Sequence, residues 1–116
     1  MGLAADTWAG YTNERDEIVD MLDQYGWLDR MVCLNGDYHG LAMDSGAGNQ
    51  WGGFPVAIFG SLDSVLPGGT GSNQYDQGAT IPGNNQYGTV QIIDNGDAIQ
   101  ITLRGYTGSD LQFLTS

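Results

Sequence analysis

An aspartate and a histidine, two positions apart, follow the short apolar run Met31–Leu34 after an intervening Asn35-Gly36. The run stops at Asn35-Gly36, so it predicts a buried strand whose carboxyl end opens into a loop carrying Asp37 and His39. In open α/β sheets, ligands bind outside the carboxyl ends of the strands, and carboxylates and imidazoles are ligands of catalytic metal ions. The alternative is a strand-end turn in which Asp37 caps backbone amides and His39 packs locally.

A helix is predicted upstream of this strand, over Thr12–Tyr25. Ile18, Leu22 and Tyr25 recur at helical spacing and form one apolar stripe, which we expect to cover one face of a sheet. Thr12 or Asn13 is the expected N-cap, and Gly26 follows as a natural C-terminal residue.

The segments downstream predict strands. Phe54–Phe59 is apolar on both faces, which is typical of a buried strand. A long polar loop is expected over residues 67–88. Alternation on either side of Asn95-Gly96 predicts an antiparallel hairpin of Thr89–Ile93 with Ala98–Leu103, and a last strand is expected over Asp110–Leu114. The expected fold class is α+β or α/β, with one amphipathic helix, buried strands and a C-terminal hairpin in a single segment, residues 1–116.

The charge of the chain limits its partners. A net charge of −11, with three arginines and no lysine, argues against nucleic-acid binding through a basic surface. The acidity either attracts divalent cations or keeps the protein soluble. Cys33 is the single cysteine, so no disulfide is expected, and its place in the apolar run predicts a buried residue.

Composition also bears on location. No segment is long enough to span a membrane, and Met1–Asp6 lacks the features of a signal peptide. The abundance of glycine, amides and hydroxyls favours an extracellular, periplasmic or virion-surface setting, and the compartment itself stays open.

Four features in sequence order resemble one known family. Asp6-Thr-Trp-Ala-Gly-Tyr-Thr-Asn-Glu-Arg15 is followed by the helix, then by the strand ending in Gly36-Asp-Tyr-His39, and finally by Tyr87–Val90 paired with Ile99–Gly105. This arrangement resembles the C-terminal part of PhoD-like alkaline phosphatases, in the calcineurin-like metallophosphoesterase superfamily. The resemblance covers nearly the whole chain but only about the last third of such an enzyme. It implies the C-terminal portion of a layered sandwich.

The resemblance also implies roles for individual residues. His39 would be a metal ligand, and Asp37 would bind metal, orient His39 or contact the substrate, so that both are candidate catalytic residues. The wall of the site would be formed by Asp6, Trp8, Tyr11 and Arg15, unless Arg15 only pairs with a carboxylate. The implied cofactors are divalent or mixed-valence metal ions, namely Fe, Ca, Mn or Zn.

The chain departs from that family because the earlier metal-binding blocks are absent and His39 is the single histidine. One histidine and a few aspartates cannot close two coordination spheres. We therefore expect a phosphoester hydrolase segment that is inactive until another chain, carrying the N-terminal part, or further copies complete it. The alternative is a non-catalytic structural or binding module of a virion or cell-surface assembly that retains the scaffold.

Overall fold

The computed structural model describes residues 10–36, 38–60, 62–63, 75–77, 81–108 and 110–115, with only the backbone described at 81–82 and 110–115. The described chain is a small α+β structure with one α-helix and two sheets. Its elements are the helix α1 (Thr12–Gln24), a 3-10 turn (Leu28–Arg30), and the strands β1 (Cys33–Asn35), β2 (Gly40–Asp44), β3 (Val56–Phe59), β4 (Ile81–Pro82), β5 (Gln86–Asp94), β6 (Ile99–Thr107) and β7 (Asp110–Thr115).

The first sheet is mixed and has the strand order β1-β3-β2-β4. β1 pairs in parallel with β3, in a register that places Cys33 opposite Val56. β2 runs antiparallel to both β3 and β4. The carboxyl ends of β1 and β3 therefore lie at the same edge as the amino end of β2, and we call this edge the carboxyl edge.

The second sheet is antiparallel, with the order β5-β6-β7. It contains the predicted hairpin, which is confirmed: Asp94 lies opposite Ile99, and the turn closes with a 3.1 Å hydrogen bond from the Asn95 N–H to the Ala98 carbonyl. Gly96 adopts a φ of 85°, which glycine tolerates without strain. Both hairpin strands extend beyond their predicted ends because their pairing continues to Gln86 and Thr107.

The two sheets pack face to face around a core of Leu41, Met43, Ala57 and Leu103. Two glycines of the second sheet permit this close approach. A Cβ on Gly88 would lie 2.0 Å from Cγ of Phe59, and one on Gly105 would lie 3.3 Å from the Leu41 methyl groups. The close approach therefore requires glycine at position 88, whereas at position 105 an added Cβ would require the Leu41 side chain to shift by a few tenths of an ångström.

Helix α1 is confirmed over Thr12–Gln24, but its N-cap is Tyr11, whose carbonyl accepts a 3.0 Å hydrogen bond from the Arg15 N–H. The predicted cap at Thr12 or Asn13 is wrong, since both residues are already helical and no side chain caps the helix. Gly26 ends the helix with a φ of 69°, and its N–H donates to the Asp23 carbonyl.

The apolar stripe of α1 is not buried. The helix contains no buried residue: of the predicted stripe, Ile18 and Tyr25 are exposed and Leu22 is half-buried. The expectation that this stripe covers a sheet face is therefore wrong within the described part of the chain. The helix lies instead beside the 3-10 turn that follows it.

Strand boundaries in the first sheet differ from the predictions. β1 begins at Cys33 rather than Met31, where the Cys33 N–H bonds the Pro55 carbonyl at 2.9 Å. β3 begins at Val56 rather than Phe54 because Pro55 has no N–H to donate to the ladder. Cys33 is half-buried rather than buried.

β2 and β4 were not predicted as strands. β2 is buried along its whole length. The polar loop expected over 67–88 ends earlier, since 81–82 belong to β4 and β5 begins at Gln86; residues 64–74 and 78–80 lie outside the described part.

Candidate functional site

His39 lies in the turn between β1 and β2, at the carboxyl edge of the parallel pair. Its backbone has a φ of 56°, a left-handed conformation that is uncommon for residues other than glycine. The turn is fixed on both sides, since Gly40 begins the buried strand β2 and the His39 carbonyl accepts a 3.3 Å hydrogen bond from the Gly83 N–H. The half-buried imidazole is therefore attached to a constrained backbone.

The same edge carries several amide side chains. Asn35 ends β1 and its Nδ2 contacts Sγ of Cys33 at 3.5 Å. Gln86 begins β5 with a buried side chain, so close to Gly60 that a Cβ there would lie 2.4 Å from its Oε1. Asn85 also has a left-handed φ, of 55°, and its carbonyl accepts from the Gly108 N–H. The edge thus presents one imidazole among amides and backbone groups.

This edge does not form a closed metal site from the described residues. They contain no group of three or more histidine, cysteine, aspartate or glutamate side chains able to hold a metal ion. Asp37 lies outside the described residues, as do Asp6 and Trp8. Of the two predicted metal ligands, only His39 is among the described residues, and it lies at this edge.

A second polar cluster lies at the other end of β2, about 17 Å away at roughly 3.4 Å per residue. Asp44 ends this strand with a side chain that is only 3% exposed. One carboxylate oxygen accepts the N–H groups of Gly46 (2.7 Å) and Gly48 (3.0 Å), and the other accepts that of Asp76 (3.1 Å). These bonds supply the partners that a buried carboxylate requires.

The Asp76 carboxylate in turn accepts two hydrogen bonds from Ser45, the residue after Asp44. One of its carboxylate oxygens accepts the Ser45 N–H at 2.7 Å, and the other accepts the Ser45 hydroxyl. These hydrogen bonds to Ser45 lower the pKa of Asp76, because they favour its charged form. The Gln77 N–H also donates to the Met43 carbonyl at 3.2 Å. We call this set of reciprocal bonds the aspartate clamp; it attaches residues 75–77 to the end of β2.

Tyr75, the residue before Asp76, has a half-buried side chain. Burial raises the pKa of the Tyr75 hydroxyl, and Tyr38 and Asp44 raise it further because nearby negative charge disfavours the phenolate. Sequence reasoning missed the clamp. The available signal was Asp44-Ser45-Gly46, a combination that favours turns in which the aspartate bonds backbone amides.

The described wall residues lie at the start of α1. Tyr11 is exposed, and Arg15 bonds Asp16 through Nε at 2.9 Å and Nη2 at 2.7 Å. The Arg15 guanidinium also lies 4.4 Å from the ring centroid of Trp51, within cation–π distance. Trp51 belongs to the loop that joins β2 to β3, at the end of β2 opposite His39. Arg15 thus makes the carboxylate pair that the sequence left open, and it connects the helix to this loop.

The chain matches no family model, no curated protein and no solved structure. Within the described ranges, no helix is long and apolar enough to cross a membrane.

Proposed function

We propose that this chain is the C-terminal segment of a PhoD-like, metal-dependent phosphoester hydrolase, a phosphatase or phosphodiesterase. It becomes active only when an N-terminal segment supplies the remaining metal ligands. The observation that carries the proposal is the position of His39. It occupies a constrained left-handed turn beside the carboxyl ends of β1 and β3, the parallel pair of the mixed sheet. In open parallel α/β sheets, ligands bind at this end of the strands.

The side of β1 that faces away from β3 offers a place where strands of a further segment could pair and complete the sheet. Among the described strands, β1 is the last on its side of the sheet, and Leu34 within it is 52% exposed. Parallel strands are ordinarily buried on both faces by further elements. An added segment beside β1 would bring its ligands to the edge that carries His39.

His39 suits the role of one ligand in a shared site. Its side chain is half-buried, and Asp37 precedes it by two positions in the sequence; imidazole and carboxylate both bind Fe, Mn and Zn. When bound, a pair of such ions clamps the phosphate and lowers the pKa of a bound water. Because the described residues do not close the site, we assign no catalytic step to this chain alone.

A second candidate function is a non-catalytic structural or binding module of a larger assembly. It is favoured by the aspartate clamp, in which Asp44 and Asp76 satisfy backbone and hydroxyl groups of the fold itself. Carboxylates used in this way stabilise a scaffold rather than present oxygens to an ion.

Reconstitution separates the two functions. The purified chain, assayed with Mn²⁺, Zn²⁺, Ca²⁺ or Fe on p-nitrophenyl phosphate and bis(p-nitrophenyl) phosphate, is expected to show no turnover above a His39→Ala control. A separately expressed segment carrying the missing metal-binding blocks is then added, and complex formation is followed by size-exclusion chromatography.

Turnover by the complex is expected with the wild-type chain and with Asp94→Ala, a variant at the hairpin tip. It is expected to disappear with His39→Ala. A stable complex without turnover favours the non-catalytic module, and turnover by the isolated chain contradicts the proposal.

A further inference from the structure

The hairpin strand β5 forms one edge of the second sheet, since it is the last of the described strands on that side. We propose that this edge binds an extended strand of another protein chain, which pairs with β5 and lies beneath β1. The proposal concerns the second sheet and does not rest on the proposed function.

The backbone groups that would pair with the added strand follow from the hairpin register. The Asn95 N–H bonds the Ala98 carbonyl, so these two residues form a hydrogen-bonded pair. Hydrogen-bonded and non-hydrogen-bonded pairs alternate along an antiparallel ladder. Counted back from Asn95, Ile92 and Val90 belong to non-hydrogen-bonded pairs with β6. Their N–H and carbonyl groups therefore point away from β6, towards the outer edge of the sheet.

This edge is long, accessible and regular. Every residue from Thr89 to Asp94 is exposed. The strand pairs with β6 in unbroken register over nine residues, contains no proline and carries no charge before Asp94. The Asp94 carboxylate lies at the turn, where it accepts the Gly96 N–H. A long, flat edge strand without charge or proline is a template for pairing with another chain.

The opposite edge of the second sheet differs. β7 begins at Asp110, and its ladder with β6 shifts register between Gly105 and Tyr106. A charged residue and an irregular ladder are two of the features by which proteins prevent edge-to-edge pairing. The described part of β5 has neither, so within this sheet the hairpin side is the edge suited to an added strand.

The space beside β5 lies beneath β1. Gly88 of β5 faces Phe59 of β3, and Gly105 of β6 faces Leu41 of β2. The step from β5 to β6 in the second sheet thus follows the step from β3 to β2 in the first. Since β1 lies on the other side of β3 from β2, a strand added to the outer edge of β5 would lie beneath β1.

An apolar side chain of β1 faces this space. Leu34 is in register with Ala57, a core residue on the face of β3 that packs against the second sheet, so both side chains lie on that face. Leu34 is nevertheless 52% exposed. The open edge and this side chain together specify the occupant: an extended segment that pairs with the β5 backbone and turns an apolar side chain towards Leu34. The net charge of −11 favours a neutral or basic strand.

A synthetic peptide tests the edge directly. The probe alternates valine and threonine over about six residues with a lysine at each end, and the control peptide has proline in place of each valine. Hydrogen exchange followed by NMR on the full chain should show the Val90 and Ile92 amides exchanging about tenfold or more faster than those of Gln91 and Ile93. Saturating probe should slow the Val90 and Ile92 amides by about the same factor, and the control peptide should not.

Substitutions locate the interaction. Ile92→Pro removes an outward N–H without removing a bond to β6, and it should weaken probe binding about tenfold or more. Leu34→Ser should weaken binding about fivefold or more, because the apolar contact with the added strand is lost. Ile18→Ser, at an exposed position of α1, should bind as the wild type does. Circular dichroism and thermal unfolding check that each variant folds, and Leu34→Ser keeps the test decisive if Ile92→Pro does not.

The proposal would be overturned by Val90 and Ile92 amides that are as protected as that of Gln91 in the free chain. It would also be overturned by a probe that does not bind at millimolar concentration, or that binds Leu34→Ser as tightly as the wild type. Sedimentation of the free chain tests the remaining occupant. Self-association that Ile92→Pro abolishes would show that a second copy occupies the edge, and would overturn the assignment to a strand of another protein.

Discussion

Substitution of Asp44 by alanine is expected to destabilise the fold strongly, because this side chain serves three backbone donors. Gly46 is buried, and its N–H would lose its acceptor without access to water, at a cost of about 1–3 kcal/mol. Gly48 and Asp76 are exposed, so their N–H groups can bond water instead, and we expect each loss to cost only about 0.5 kcal/mol. Asp44→Ala should therefore lower the free energy of unfolding by about 2–4 kcal/mol.

Asp44→Asn should have a much smaller effect, about 0.5 kcal/mol, since the amide oxygen can still accept from Gly46 and Gly48 and only the bond from the Asp76 N–H is lost. Urea unfolding followed by circular dichroism and by tryptophan fluorescence gives these values, with Trp51 located in the loop that the clamp holds.

Asp94→Ala is the matched control for Asp44→Ala. Asp94 makes the same kind of bond, to the N–H of Gly96 at 2.8 Å, but at an exposed turn. Losing this bond should lower the free energy of unfolding by no more than about 0.5 kcal/mol, as for most surface changes. If Asp44→Ala and Asp94→Ala destabilise equally, burial does not determine the cost and the reasoning fails.

Two further predictions concern sheet packing and acid stability. Gly88→Ala places a Cβ 2.0 Å from Cγ of Phe59 and should destabilise the fold by about 1–3 kcal/mol in urea unfolding. Gly36→Ala, where nothing lies within 4 Å of the added Cβ, should be nearly neutral, and equal effects of the two would contradict the close packing. The lowered pKa of Asp76 means that its contribution to stability is present above the usual carboxyl pKa of about 3.9 and is lost as the pH falls through the lower, folded-state value. NMR titration should show that Ser45→Ala, which removes the hydroxyl but keeps the backbone N–H of residue 45, moves this pKa part of the way back to its ordinary value; an unchanged pKa would exclude the Ser45 hydroxyl as a cause.

Local sequence determined the elements that local interactions stabilise. The hairpin follows from Asn95-Gly96 between two alternating runs, because turn geometry and a period of two fix the pairing of neighbouring segments. Helix α1 follows from helical spacing and the terminal Gly26. The turn that contains His39 was predicted as well, since the apolar run stops just before Gly36.

Tertiary structure decided the features that join distant segments. β2 contains only the three apolar residues Leu41–Met43, too short a run to identify as a strand, and it became the buried centre of a sheet only through pairing with β3 and β4. The aspartate clamp joins Asp44 to Asp76 across 32 positions, a distance over which no sequence spacing predicts contact.

The exposure of apolar side chains was also a tertiary outcome. The sequence predicted that Ile18 and Tyr25 share a helix face, but only the packing of the other elements determined that this face stays exposed. Likewise, alternation placed Val90 and Ile92 on one strand face, and the extent of the first sheet determined where burial ends. Periodicity fixes which residues share a face, whereas burial depends on what another part of the chain brings against it.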